Sequence, residues 1–212
     1  MLKSLNVSVF DGFFLVFLIV GIFRGRKRGI SEELLDVAQW IAIVVGAALA
    51  YPLLGGLLIK YAYFPPLLGN VFAYIVAAIT IVFLFRVLKR GVGEKLVQGD
   101  VFGRFEFYLG MTAGFLRFLC IAIFVLAIVH AKYSTPAERE RMAKLQRDNF
   151  GDISFPTFDE MQYSIFYKSA SGNLLRTNVP ILLIQPVPPG PMRPSNTIGR
   201  RREDAVNEVF KK

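Results

Sequence analysis

The chain has 212 residues, 54% of them hydrophobic and 19% charged, with 20 Phe and a mean hydropathy of +0.47. That apolar share exceeds what an ordinary water-soluble domain carries and belongs to the membrane class. The formal net charge of +9 would also fit a nucleic-acid binder, but the cations gather at the ends of apolar runs instead of forming a soluble patch, which excludes nucleic acid as the partner and points to membrane anchoring.

Met1 to Ser8 carry a single Lys, and no small-residue cleavage pattern follows before the first basic cluster. The first apolar stretch, Val9 to Phe23, therefore reads as a retained helix and not a signal peptide. It reaches spanning length once a few flanking residues are counted. A basic loop, Arg24-Gly25-Arg26-Lys27-Arg28-Gly29, separates it from segment two, Leu34 to Ile59, which holds Trp40 near its start. Segment three follows Pro65-Pro66 and runs to about Leu88, and segment four covers Phe107 to Ala131. The expected fold is an all-α integral membrane protein with four transmembrane helices arranged as two hairpins.

Loop one and loop three, the latter with Arg86, Lys89, Arg90, Lys95 and Arg104, are basic, whereas loop two holds only Lys60. The positive-inside rule places the two basic loops in the cytoplasm and both termini outside it. Lys132, Arg139, Arg141, Lys144 and Arg147 in the tail pull against this, but long segments translocate largely regardless of charge. The basic loops share a pattern, RGxxExL, at Arg28 to Leu34 and Arg90 to Leu96. It reads either as a parallel repeat of two hairpins or as a coincidence between basic loops.

Residues 1–131 thus form the four-helix membrane domain and residues 132–187 a short helical or interfacial extension. Thr135-Pro136-Ala137-Glu138 supplies an N-cap, a proline at the first helical position and an acid three residues on, so a helix should run to about Asp148. A second is expected from Phe158 to Tyr167, ended by Ser-Ala-Ser-Gly, and Val179 to Val187 reads as extended or membrane-surface chain. Residues 188–212 are a Pro-rich basic tail expected to lack a fixed fold. Cys120, the single cysteine, lies in an apolar run and reads as a small packing residue.

Arg117 sits near the middle of segment four, where a cation costs about 2.5–3.5 kcal/mol on insertion scales and calls for a partner. Counting back from Phe23 puts Asp11 about 18 Å deep, and counting from Phe107 puts Arg117 about 15 Å deep, at about 1.5 Å per residue. Two placements are open: an intramembrane Asp11–Arg117 pair between segments one and four, or an Arg117 that snorkels to the cytoplasmic surface while Asp11 faces outer-leaflet water. Gly21, Gly25 and Gly29 recur every four residues, and Gly110 and Gly114 repeat the interval, a spacing that lets helix backbones approach closely. Glu32, Glu33 and Asp36 open segment two at the positive end of its dipole. Arg24 and Arg28 lie within reach of Glu32 and Glu33, so salt bridges bracing the hairpin are expected, with a proton or ion relay as the functional alternative.

No GxSxG, zinc spacing or phosphate-binding GxxxxGK[ST] occurs in the sequence, and His130 is the single histidine. The expectation is a protein that is not an enzyme and uses no cofactor, with His130 as an interfacial side chain.

An Asp early in segment one (Asp11), an Arg-Gly turn with an acid four residues after the glycine (Arg28-Gly29 then Glu33) and LGxxxGxxR in segment four (Leu109-Gly110 to Gly114 and Arg117) resemble the colicin V production protein (CvpA) family over about residues 7–131. The resemblance implies a multi-pass protein of the bacterial inner membrane that supports production or secretion of a colicin V-type toxin and envelope homeostasis, with Asp11, Gly29, Glu33, Gly110, Gly114 and Arg117 as the positions carried over. Phe107 and Phe118 depart from the Arg and Gly that family members often place there, and any role for those two positions does not transfer. Besides the bilayer, the expected partners are envelope or secretion proteins, or a second copy of the chain. The competing expectation is a small oligomeric channel or transporter whose polar path is lined by Asp11, Glu33 and Arg117.

Overall fold

The computed structural model describes residues 8–97, 103–150 and 157–188, and every regular element among them is helical. Helix α1 spans Val9–Tyr61, α2 Pro66–Val97, and α3 Glu106–His130 after a 3-10 turn at Gly103–Phe105. These three are long and apolar enough to cross a membrane. A chain surrounded by hydrocarbon must satisfy its backbone hydrogen bonds internally, and helices do so within a single segment.

Gly29 alone interrupts the 53 residues of α1, at φ 74° and ψ 169°, a backbone region that essentially only glycine enters. It divides the helix into a first arm, 9–28, and a second, 30–61. The basic stretch from Arg24 to Arg28, expected as a loop, is instead the last turn of the first arm. Reversal is confined to one residue, because a glycine at that φ needs no further chain to turn.

Neighbours along α3 give the directions. Gly21 faces Gly114 and Phe118, Gly25 faces Gly110 and Gly114, and Gly29 faces Glu106 and Gly110, so the first arm runs antiparallel to α3. Glu33 and Asp36 meet Arg117, and Trp40 meets Phe124 at 6.1 Å, so the second arm runs parallel to α3. The two arms therefore fold back side by side along one helix. Helix α2 is antiparallel to the second arm, with Gly55 against Asn70, Gly46 against Ile81 and Asp36 beside Lys89.

An aromatic chain ties these helices together: Tyr51 to Tyr74 at 6.2 Å, Tyr74 to Phe124 at 5.3 Å, and Phe124 to Trp40. Small side chains, Ala47, Ala48, Ala73, Ala77 and Ala127, fill the space between. The outward faces carry Phe13, Leu15, Val16, Leu49, Leu53, Ile79, Phe83 and Leu84, all exposed, which in water would be a large apolar surface and in a bilayer is the ordinary one.

The tail packs into this same core. Helix α4 is Pro136–Phe150 and α5 is Phe158–Tyr163, where Thr157 Oγ1 accepts the Glu160 N–H at 3.3 Å. A π turn, Ser164–Lys168, continues it and buries Phe166 edge-on to His130, 4.8 Å between ring centres. The Ser-Ala-Ser-Gly stretch, expected only to end a helix, also starts one: Ser169 Oγ accepts the Gly172 N–H at 3.0 Å and opens α6, Ala170–Asn178. Beyond the 3-10 turn Pro180–Leu182, Leu183 and Ile184 are buried against the bundle, and the Gln185 N–H donates to the Tyr51 hydroxyl at 3.1 Å. The Pro-rich tail from 189 onward lies outside the described residues.

Candidate functional site

Five charged side chains meet near the Gly29 turn. The Arg117 Nη1 donates to both oxygens of Glu33, at 3.1 and 2.9 Å, and lies 2.9 Å from Asp36 Oδ2. Arg28 reaches Glu33 at 3.5 Å and Asp36 at 3.4 Å from the end of the first arm. From α2, Lys89 Nζ donates to Asp36 and, at 2.6 Å, to Gln39 Oε1. The cluster thus draws on both arms of α1, on α2 and on α3.

Burial makes it consequential. The Glu33 side chain is 1% exposed and that of Arg117 17%. Ions this far from water are tolerated only when paired and hydrogen-bonded, and removing one partner of such a pair costs about 3–5 kcal/mol. Formal charges give three cations against two carboxylates, so the cluster carries a residual positive charge. The Arg117 Nε is buried with no hydrogen-bond partner, which leaves one donor of the guanidinium unused. A hollow of about 410 Å³ lined by Gln39, Val82, Arg86, Lys89 and Arg90 opens beside Lys89.

The expected Asp11–Arg117 pair does not form. Helical structure continues through Arg28, so Asp11 lies eighteen residues, about 27 Å of helix at about 1.5 Å each, from the Gly29 turn, at the far end of the bundle. The Arg117 side chain instead leans toward the N-terminus of its own helix, as helical side chains do, and meets the acids of the returning arm. Asp11 accepts the Ser8 N–H at 2.8 Å, the Ala170 N–H at 3.1 Å and the Ser171 N–H at 2.8 Å, with the Ser171 hydroxyl as a further donor. One carboxylate therefore caps the start of α1 and the start of α6, and ties the tail to the bundle.

Of the four residues expected to brace the hairpin, the structure brings Arg28 and Glu33 together. Arg24 and Glu32 are exposed and make no ion pair among the described residues. Arg24 directly precedes the buried Gly25 and Glu32 the buried Glu33, and one step along a helix turns a side chain by about 100°, away from the inward face. Lys89 and Gln39 were not singled out in the sequence, although Glu33, Asp36 and Gln39 recur every third residue and so share one face of an otherwise apolar arm.

The glycines bring the first arm and α3 into backbone contact. A Cβ on Gly25 would lie 2.8 Å from Gly114 Cα and would overlap the Gly110 carbonyl oxygen, and one on Gly110 would lie 2.8 Å from Gly29 Cα. This close approach lets Arg28, at the foot of the first arm, reach the acids of the second.

A family model described as Colicin V production protein matches residues 10–168, past the end of α3 and through α4, α5 and the π turn. No curated protein and no solved structure matches the chain.

Proposed function

This chain belongs to the colicin V production protein family, and from that membership we propose a non-enzymatic, multi-pass protein of the bacterial inner membrane that supports production or secretion of a colicin V-type peptide toxin and envelope homeostasis. It acts through contacts with envelope or secretion proteins or with a second copy of itself. The observation that carries this reading is the partly buried cluster of Arg28, Glu33, Asp36, Lys89 and Arg117, which clamps four apolar segments into one body.

In this reading the two arms of α1 cross the bilayer separately, giving four spans. The first arm, 20 residues long, measures about 30 Å, the thickness of the hydrocarbon layer. The Gly29 turn, flanked by Arg24, Arg26, Lys27 and Arg28, then faces the cytoplasm, while α4 to α6 lie on the other side.

The test is complementation. In a toxin-producing strain lacking its own family member, this chain should restore the zone of growth inhibition around the colony. Arg117→Leu should abolish it, with the amount of membrane-inserted protein measured alongside. An inserted wild-type chain that leaves the zone absent would overturn the assignment.

The channel or transporter reading loses one of its three lining residues, since Asp11 lies at the opposite end of the bundle and is engaged by Ser171. What favours it in reduced form is the hollow beside Lys89, which reaches the cluster from the surface. Ion flux into proteoliposomes that vanishes with Arg117→Leu would support it over the first reading.

A further inference from the structure

At the other end of α3 the tail encloses a hollow of about 230 Å³ between His130, α4 and the α5–π segment. Two donors border it unused: the Ser134 hydroxyl and the Arg139 Nε are buried and have no hydrogen-bond partner. Arg139 makes no ion pair with a carboxylate among the described residues, and its guanidinium carbon lies over the Tyr163 ring, 3.8 Å from the centre, a cation–π contact that holds it beside the hollow. The neighbouring acid, Asp159, accepts from Lys132 through Oδ2 at 2.8 Å and offsets that cation, while its Oδ1 is a third buried polar atom on the hollow without a hydrogen-bond partner. Buried donors with no acceptor are rare in folded proteins, and two on one hollow call for a group rich in acceptors. An oxyanion, which accepts only, fits an arginine fork best.

Arg139 and Tyr163 also form the wall of a second, larger groove of about 1110 Å³, lined on its other side by Val9, Phe10 and Phe13 at the start of α1. Val9 and Phe13 are 78% and 72% exposed, on the outward face of an arm that lies in hydrocarbon. The hollow and the largely apolar groove share Pro136, Arg139 and Tyr163, and Glu140, Glu160 and Lys168 also line the groove; Arg139 is the one cation that borders both, where an amphiphile with an anionic head would place that head.

We propose that this junction is a phospholipid site, in which the phosphodiester accepts from Arg139 and Ser134 and an acyl chain lies along Val9, Phe10 and Phe13. The lipid would pin the tail helices to the bilayer surface at the end of the bundle remote from the charge cluster. The site rests on the membrane placement of the helices and not on the toxin role, so its binding test stands apart from complementation.

The experiment titrates the purified full chain in maltoside detergent with dioctanoyl phosphatidylglycerol, dioctanoylglycerol or inorganic phosphate, and reads the midpoint of thermal unfolding. Only the phospholipid should raise the midpoint of the wild-type chain. Arg139→Gln should weaken its apparent affinity at least tenfold and Ser134→Ala severalfold, the second being a small change that keeps the fold testable if the first does not. Equal stabilisation by dioctanoylglycerol would mean that the phosphate contributes nothing, and equal stabilisation by inorganic phosphate would mean a free-anion site. Either result, or unchanged affinity in both variants, overturns the proposal.

Discussion

Replacing Gly25 by alanine tests the backbone contact on which the charge cluster depends. The added Cβ would meet Gly114 Cα at 2.8 Å and Gly114 N at 2.9 Å and would overlap the Gly110 carbonyl, all backbone atoms that no rotamer change can move. Ordinary Cβ contacts begin near 3.4 Å, so the first arm must part from α3 by on the order of 1 Å. A gap of that size forfeits about a quarter to a half of the dispersion well of each atom pair across the crossing. Overpacking of this kind costs about 1–3 kcal/mol. For a chain of this length each kcal/mol moves the unfolding midpoint by about 2–4 °C, giving a fall of about 2–12 °C. Gly56→Ala is the control, because a Cβ there meets nothing within 4 Å and alanine is the better helix former by about 1 kcal/mol. Its midpoint should hold or rise. Cys120, buried and the single cysteine, provides the assay, since a thiol-reactive dye reports its exposure on heating. Equal shifts for Gly25→Ala and Gly56→Ala would refute the close-packed crossing.

Glu33→Ala should cost about 3–5 kcal/mol, somewhat offset by Asp36, because it strands Arg117 in a buried site; Glu32→Ala, on the exposed side of the same turn, should change stability by less than about 0.5 kcal/mol. Asp11→Ala should free the start of α6, so that limited proteolysis cuts between residues 168 and 188 many times faster while α1 to α3 stay protected; an unchanged digestion pattern would show that the cap does not hold the tail. Tyr51→Phe should remove the acceptor of the Gln185 N–H and lower stability by about 1 kcal/mol, measurable by the same thiol assay. With Cys120 replaced by alanine, single cysteines at Lys27, Tyr63 and Lys168 should label from the cytoplasmic, outer and outer side in turn; labelling of Lys27 and Tyr63 from one side would remove the four-span topology.

Much of the architecture is legible without coordinates because hydrocarbon imposes it locally. Runs such as those from Leu34 to Ile59 and from Phe107 to Ala131 must be helical in a bilayer whatever they touch, and glycines at intervals of four advertise a close crossing on the face they share. The family motifs, too, are short-range patterns. Partner choice among the charges is not of this kind. Asp11 and Arg117 are matched in depth only if the first segment ends at Phe23, and whether Arg24 to Arg28 form a loop or a last helical turn depends on the single residue where the chain reverses. Gly29 takes a φ that places the reversal there, which carries Asp11 to the far end and swings Glu33 and Asp36 beside Arg117. Lys89 and Arg139 likewise acquire their surroundings from other helices: which cation meets which acid, and which lies against a ring instead, is a property of the packed helices.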